Sequence, residues 1–458
     1  MRNYTFKEIA EITGGKVIAG NPETIISGVS FDSREATKGQ LFVPVVGEVH
    51  DAHKFIPGAA ERGCDAFLIS KPSAIEGLDC NAILVEDTTK GILKLAKSYL
   101  ESLGLKKVAV TGSIGKTSTR DMMHAILKEK YNTRCSEKNY NTDVGVAMTI
   151  FSFDESMEAA VLETGMDKPG EIDRLVDVIR PDVGIITFVG TSHIENLGSR
   201  ENIFKAKMEI TNYFGPENTL VINGDNDLLS TVEDDREYKV IKAGTGEEAQ
   251  YRVSDIKDYG EDGIEYTLSV DGKAYDVSLN IPGAHNALNS ALAIAAGCKM
   301  GISVEEATRG LSKIELTGRR LKIRESRGIK VIDDTYNASP ESMMSAVTTL
   351  INTKGKRKIA ILGGINELGN MSEEGHRQVG EFVATQPIDM LYTVTEPAED
   401  IAKGFVDKGG NPDKVRHYNT KADFFEEMEG IFAEGDVILV KASRGRELEE
   451  IVERIVEG

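Results

Sequence analysis

The stretch Lys106–Tyr131, KKVAVTGSIGKTSTRDMMHAILKEKY, decides how the rest of the chain is read. Its apolar run VAV (108–110) predicts a short buried strand, and the residues after Lys116 predict an amphipathic helix. Between them lies TGSIGKT (Thr111–Thr117). A glycine-rich loop leaving a strand and opening a helix is the setting in which such a string cradles phosphate. Backbone N–H groups of the loop and the helix N-terminus then face phosphate oxygens. Gly112 and Gly115 permit the tight path, with Thr111, Ser113 and Ile114 beside them. Lys116 is placed for the β- and γ-phosphates of ATP, and the Thr117 hydroxyl for Mg2+. The common spacing asks for glycine where Val110 stands. The loop alone leaves kinase, GTPase and ligase open.

Working outward, strand-like segments recur at EAAVLET (158–164), DVGIITFVG (182–190) and NTLVINGD (218–225), with helical stretches between. This alternation predicts a mostly parallel sheet with helices on both faces. AHNALNSALAIAAGCKMG reads as an Ala-rich helix ended by Gly301. After LTGRRLKI (316–323), the strands KVIDD, KIAILGG, DMLYTV and DVILVKAS alternate with helices again. Before the loop, residues 1–104 read as small mixed α/β, with helices at Phe6 to Ile12 and Thr88–Leu103 and a linker in ESLGLKK. The expectation is an α/β protein of three domains. These are a small mixed α/β N-terminal domain (1–104), a central P-loop-type parallel-sheet domain (105–316) and a C-terminal dinucleotide-fold-like α/β domain (317–458).

Length agrees, since 458 residues suit about three domains. Net charge is −20, from 54 basic and 74 acidic residues. That argues against nucleic-acid binding, which needs a basic surface. It leaves anionic small molecules open, because N–H groups, a lysine and Mg2+ bind phosphate locally. No run of ~18 apolar residues predicts a membrane span, and no signal peptide opens the chain. The expected location is the cytoplasm. Cys64, Cys80, Cys135 and Cys298 are scattered, which reads as apolar filler in a reducing compartment.

With Val110 in place of glycine, T-G-S-x-G-K-T resembles the loop of the Mur ligase and folylpolyglutamate synthase superfamily. The resemblance runs through nearly the whole chain in the family's motif order. VLETGMDKPGEI is similar to its E-x-G-x-N, which makes Glu163 a Mg2+ ligand. GTSHIENLGS is similar to A-H-L-E-x-x-G-S, which gives His193 a share of a second Mg2+. FKAKMEI matches A-K-x-E, which implies that Lys207 reacts with CO2 to a carbamate supporting Mg2+. Lys205 competes for that role. The plain alternatives are a solvated strand-end Glu163, a structural His193 and solvated helix lysines.

PGAHNALNSALA resembles G-x-H-N-x-x-N-A, so Asn286 is the adenine contact, with His285 beside it; Asn286 could equally cap the Ala-rich helix. TGRR matches the G-R motif, so Arg319 reaches the nucleotide phosphates, shared with or replaced by Arg320. VIDDTYNASPESM is similar to D-D-x-Y-N-A-N-P-x-S-M, which puts Asp334 on the ribose with Tyr336 and Asn337 nearby. ILGGINELG resembles L-G-D-M-x-E-L-G, VKASRG resembles V-K-G-S-R, and His376 falls in S-x-x-x-H. At the sugar end, VSFDSREATKGQLFVPVVG carries the D-S-R pattern, which implies Ser33 and Arg34 as substrate contacts. KNYNTDVGVA loosely matches N-x-N-N-x-x-G-V-P, which adds Asn139, Asn141 and Thr142.

The resemblance therefore implies an ATP-dependent amide ligase working through an acyl-phosphate, with Lys116, Glu163, His193 and Lys207 as its catalytic set. Its implied substrates are a UDP-linked muramyl tripeptide and D-alanyl-D-alanine, in peptidoglycan precursor synthesis, and a monomer is expected. The pattern is broken at Ala52, Thr142, Ala147, Gly364 and Ala442. These are outer, substrate-facing motifs, so a paralogue joining another acid and amine is the first alternative. A non-catalytic nucleotide-binding subunit is the second.

Overall fold

A computed structural model describes residues 1–47 and 50–457. The protein is mixed α/β, with a parallel central sheet and separate N- and C-terminal sheets. By compactness it divides into two units. The first holds residues 1–109, 131–165 and 170–182; the second holds 110–130, 166–169 and 183–458.

In the first unit, strands Gly28–Ser30, Gln40–Phe42, Ala66–Ile69 and Asn81–Leu84 pair in parallel, and Lys16–Ala19 adds antiparallel. The helix Thr88–Leu103 starts where Asp87 accepts a hydrogen bond from Lys90 N–H and stops at Gly104, φ 62°. One apolar core takes in Ile92, Leu95 and Tyr99 of this helix, Val146 and Ile150 of the helix Asp143–Phe151, and Leu175 and Ile179 of the helix Glu171–Ile179. The parallel strands Thr133–Cys135 and Ala159–Glu163 belong to this unit too. A stretch assigned by sequence to the central domain thus shares its hydrophobic core with the N-terminal segment.

In the second unit, strands Val183–Ile186, Thr219–Asn223, Lys239–Gly244 and Tyr251–Asp258 run parallel. A hairpin unforeseen by the βα reading, Ile264–Val270 with Lys273–Leu279, extends them antiparallel. The helix Lys116–Leu127 packs on the helix His285–Lys299. The C-terminal sheet has the order Lys322–Ser326, Ile329–Asp334, Asp436–Lys441, Arg357–Gly363, Met390–Val394, Val415–Tyr418. All its pairings are parallel except the first. The motif strings of this domain follow the carboxyl ends of the strands Ile329–Asp334, Arg357–Gly363 and Asp436–Lys441, as open α/β sheets commonly arrange their ligand sites. No helix among the described residues is long and apolar enough to cross a membrane.

Candidate active site

The loop is shaped by its neighbours. Gly112 lies so close to Thr187 that a Cβ would collide with Oγ1 of that threonine. Gly115, φ 79°, opens the helix Lys116–Leu127, and a Cβ there would lie 2.8 Å from Asn289 Oδ1. Both glycines are therefore demanded by close approach, and Gly115 by its left-handed backbone as well. Ser113 N–H donates to Phe188 O at 2.7 Å, Gly190 N–H donates to Ser113 Oγ at 3.0 Å, and Thr187 Oγ1 donates to Ile114 O at 2.5 Å. The loop is thus fixed from the strand that ends at Ile186. Lys116 folds back over it, with Nζ donating to Gly112 O at 2.6 Å.

Arg320 comes down on the far end of this loop. Its Nη2 donates to Thr117 Oγ1 at 2.9 Å, and its guanidinium stacks 4.2 Å from the Tyr336 ring centre. Of the two arginines the sequence offers, Arg319 turns instead to Glu449 at 3.1 Å and is 43% exposed. Two anchors hold the segment between. Thr317 N–H and Oγ1 donate to Asp121 Oδ2 at 2.8 and 2.9 Å, and Thr317 Oγ1 also accepts from the fully buried Arg120. Leu321, in a left-handed conformation at φ 50°, donates its N–H to Asp334 Oδ1 at 3.3 Å. We expect Arg320→Met to lower kcat/KM for ATP by about a hundredfold, since one group that meets developing phosphate charge is lost. Arg319→Met should stay within about threefold, the scale of a surface ion pair. Steady-state kinetics of the two variants separates them.

Asp334 is committed on its other oxygen to the buried Lys441, 2.6 Å away, and the same Nζ donates to Asn337 O at 2.9 Å. Lys441 therefore ties strand, ribose candidate and loop together. The capping reading of Asn286 is corrected. The helix starts at His285 behind Ala284, with no side-chain cap. Asn286 is buried at its second position, where Nδ2 donates to Pro282 O at 2.8 Å and Oδ1 accepts from Asn289 Nδ2 at 3.1 Å. Asn289, unnamed by the sequence reading, is the residue that touches Gly115.

His193 Nδ1 lies 2.6 Å from Glu367 Oε2 and 3.0 Å from Asp167 Oδ1. Both approaches are off the ring's N–H direction, so they act as charge contacts rather than aligned hydrogen bonds. Burial disfavours the charged ring, but the two carboxylates outweigh it and raise the His193 pKa. Contact with His193 in turn lowers that of Asp167. Lys207 is 2% exposed while Lys205 is exposed. Burial, then the nearby Lys116 charge, holds the Lys207 amine well below the ordinary lysine range. Among the described residues no three His, Cys, Asp or Glu side chains form a metal cage. Mg2+ does not ask for one, because it takes one or two protein oxygens and completes its shell with water and phosphate. The Thr117 hydroxyl, a hard oxygen at the end of the loop, fits that need.

Residues 110–297 match the Mur ligase middle domain, and residues 318–444 match the Mur ligase glutamate ligase domain. A relative from Bacillus subtilis, UDP-N-acetylmuramoyl-tripeptide–D-alanyl-D-alanine ligase, is 38% identical over 100% of this chain and 99% of its own. The chain belongs to the Mur ligase family. In structure it is similar to MurF from Acinetobacter baumannii, with a TM-score of 0.92, 27% identity and full coverage of both chains. It is also similar to MurF from Thermotoga maritima in complex with ADP, with a TM-score of 0.82, 28% identity and coverage of 94% and 97%.

The remaining candidates of this Mur ligase lie in the first unit. Glu163 is buried, with Oε1 accepting from Asn141 Nδ2 at 2.9 Å and its N–H donating to Ser136 Oγ at 3.0 Å. Asn141 is thus a neighbour of Glu163, whereas Asn139 and Thr142 are exposed. Arg34 closes its fork on Asp32, Nε to Oδ1 at 2.9 Å and Nη2 to Oδ2 at 2.5 Å, and this holds the Asp32 carboxyl down at about 2. Ser33 is half-buried beside it. Of the motif departures, Ala52 is harmless to the backbone, since it opens a 3-10 turn without a left-handed angle. Ala147 is a buried position within the helix Asp143–Phe151, where alanine suits the helix better than proline.

Proposed function

We propose that this Mur ligase joins D-alanyl-D-alanine to UDP-N-acetylmuramoyl-tripeptide at the expense of ATP, in the cytoplasmic synthesis of peptidoglycan precursors. The geometric observation that carries the reaction type is Arg320 reaching Thr117 across a loop held by Thr187 and capped by Lys116. Similarity over the full length to the Bacillus subtilis ligase supports the substrates. Residues 1–104 are assigned to the UDP-sugar, with Ser33, Arg34, Asn139, Asn141 and Thr142 as contacts. Residues 105–316 take ATP, and 317–458 the amine substrate and the closing arginine. In this reading the enzyme acts as a monomer.

A carboxylate oxygen of the tripeptide attacks the γ-phosphorus, and the bond to ADP breaks. The amine nitrogen of the dipeptide then attacks the acyl carbon, loses a proton, and phosphate leaves. Lys116 and Arg320 neutralise charge on the transferring group, and positioning does the rest. Bound Mg2+ would add to that neutralisation, held by Thr117 and, as their motifs suggest, Glu163 and His193. Burial lowers the pKa of Lys207 and so favours the neutral amine that CO2 requires. N–C bond formation with loss of a proton would give a carbamate, an anion that would help to hold bound Mg2+. Asp334 and Asn337 serve the ribose, and Asn286 the adenine side.

Phosphate release from ATP tests the reading. It should require both UDP-N-acetylmuramoyl-tripeptide and D-alanyl-D-alanine, with the amide product seen by mass. Release that needs another acid or amine would assign the chain to a different ligation within the family. Release without any amine would make it a phosphotransferase.

A further inference from the structure

Glu341 stands in the first turn of the helix Pro340–Asn352, just beyond Asp334, Tyr336 and Asn337. Its carboxylate reaches the loop that follows the strand Val183–Ile186. Thr191 N–H donates to Oε1 at 3.0 Å, and Thr191 Oγ1 lies 3.1 Å from Oε1 and 3.3 Å from Oε2. Gly190 is pressed as closely, since a Cβ there would lie 2.6 Å from Oε1. A carboxylate held by a main-chain N–H is a strong, directional contact. It fixes position without pairing charge. The motif string D-D-x-Y-N-A-N-P-x-S-M leaves this position open, so the contact is a property of this chain rather than of the motif.

The loop that Glu341 grips also shapes the phosphate site. Gly190 N–H donates to Ser113 Oγ at 3.0 Å, and Ser192 Oγ donates to Ser113 O at 3.3 Å. Behind it, Val189 O accepts from Arg200 Nη2 at 2.9 Å and from Asn226 Nδ2 at 3.1 Å. Further along, Glu195 N–H donates to Glu367 O at 3.1 Å. The loop is thus braced from the central sheet, bonded to the phosphate loop, and held by the C-terminal domain through Glu341 and Glu367. Of these two, Glu341 meets it beside Gly190, the residue bonded to Ser113.

We propose that Glu341 is a positioning residue for phosphoryl transfer. It sets the loop Gly190–His193, and through it the phosphate loop, in register with the segment that carries Asp334 and Tyr336. That segment in turn seats Arg320, by the Tyr336 ring and by the bond from Leu321 N–H to Asp334. Lys116 and Arg320 stand on the two sides of this contact, so a small shift between them costs rate rather than binding. The proposal rests on the ligase reading above.

The test is steady-state ligation by variants of the contact. Glu341→Ala should lower kcat by about tenfold to a hundredfold, the scale on which a displaced catalytic group costs rate. KM for ATP and for the two other substrates should stay within about threefold, because the lost interaction serves the chemical step. Glu341→Gln keeps an oxygen for the Thr191 N–H and should keep kcat within about threefold of the wild type. Glu341→Asp keeps the charge but is one methylene short, and should lose rate as alanine does. Gly190→Ala, whose methyl would displace Oε1, should lose rate too, and should cost little more when added to Glu341→Ala. Glu341 is half-buried, so its variants should melt close to the wild type and bind ATP equally well in a titration without the other substrates. Wild-type kcat in Glu341→Ala would overturn the proposal. So would full rate in Glu341→Asp with loss in Glu341→Gln, or a melting temperature that falls in step with kcat. If the wild type makes no amide at all, the ligase reading fails and the proposal falls with it.

Discussion

Replacing Lys116 by alanine should reduce turnover by about a thousandfold or more, on the scale of losing a cation that meets the transferring phosphoryl group. The Lys116 Nζ donates to Gly112 O at 2.6 Å and to Ser113 O at 3.4 Å, both within its own loop, and Thr187, Phe188 and Gly190 also secure the loop's path. Thermal unfolding of Lys116→Ala should therefore match the wild type, which separates a chemical loss from a structural one. Nucleotide affinity should fall far less than kcat, because the backbone N–H groups of the loop remain. Arginine at 116 should not rescue, since a planar fork cannot take the place of a compact ammonium folded over the loop. Near-normal kcat in Lys116→Ala would remove the phosphate loop from the mechanism. The variant also bears on Lys207. The Lys116 charge helps to depress the Lys207 amine, so its removal should move that amine part of the way back toward the ordinary range.

The strand, loop and helix around Lys116 were legible because three local signals agree: an apolar run, paired glycines and a helical period. The choice between Lys205 and Lys207 was legible too, for a reader of periodicity. Ile203, Ala206, Lys207 and Ile210 fall on one helical stripe, and those are the buried positions. Lys205, two residues earlier, projects from the other side. The hairpin Ile264–Leu279 announces itself in the alternation of IEYTLSV, which a reading tuned to βα units passes over. Arg319 against Arg320 could not be settled from the chain. The two arginines are adjacent in a bend, and which of them faces the loop is set by Asp121, 196 positions from the Thr317 it grips. The carboxylates around His193 were hidden for the same reason, since Asp167 and Glu367 are distant in sequence. The grouping of residues 131–165 with the N-terminal segment is likewise a matter of shared core, which sequence spacing does not express.

Lys207→Ala should abolish measurable ligation and recover part of it when a short carboxylic acid such as acetate is added with bicarbonate excluded. A buried amine with no counter-charge is costly unless it is neutral. In this chain burial comes first and the Lys116 charge second, and both push the same way. The neutral amine is the form that takes up CO2, and the product is an anion that a dication stabilises. The added acid would restore that negative charge without the tether. The same burial predicts a signature in stability that does not depend on catalysis. The folded protein binds a proton on Lys207 less readily than the unfolded chain does, so unfolding takes up a proton across a window. That window runs from the depressed value of the folded state up to the ordinary lysine value of about 10.4. Within it, stability rises with pH. In CO2-free buffer the wild type should therefore gain stability as pH climbs through the alkaline range, and Lys207→Met should lose that share of the gain. The methionine variant should also be the more stable protein at neutral pH, because an apolar side chain of similar length replaces a buried amine whose charged form burial disfavours. Normal ligation in Lys207→Ala would remove the carbamate, whereas equal pH slopes in both proteins would show that the amine is solvated after all.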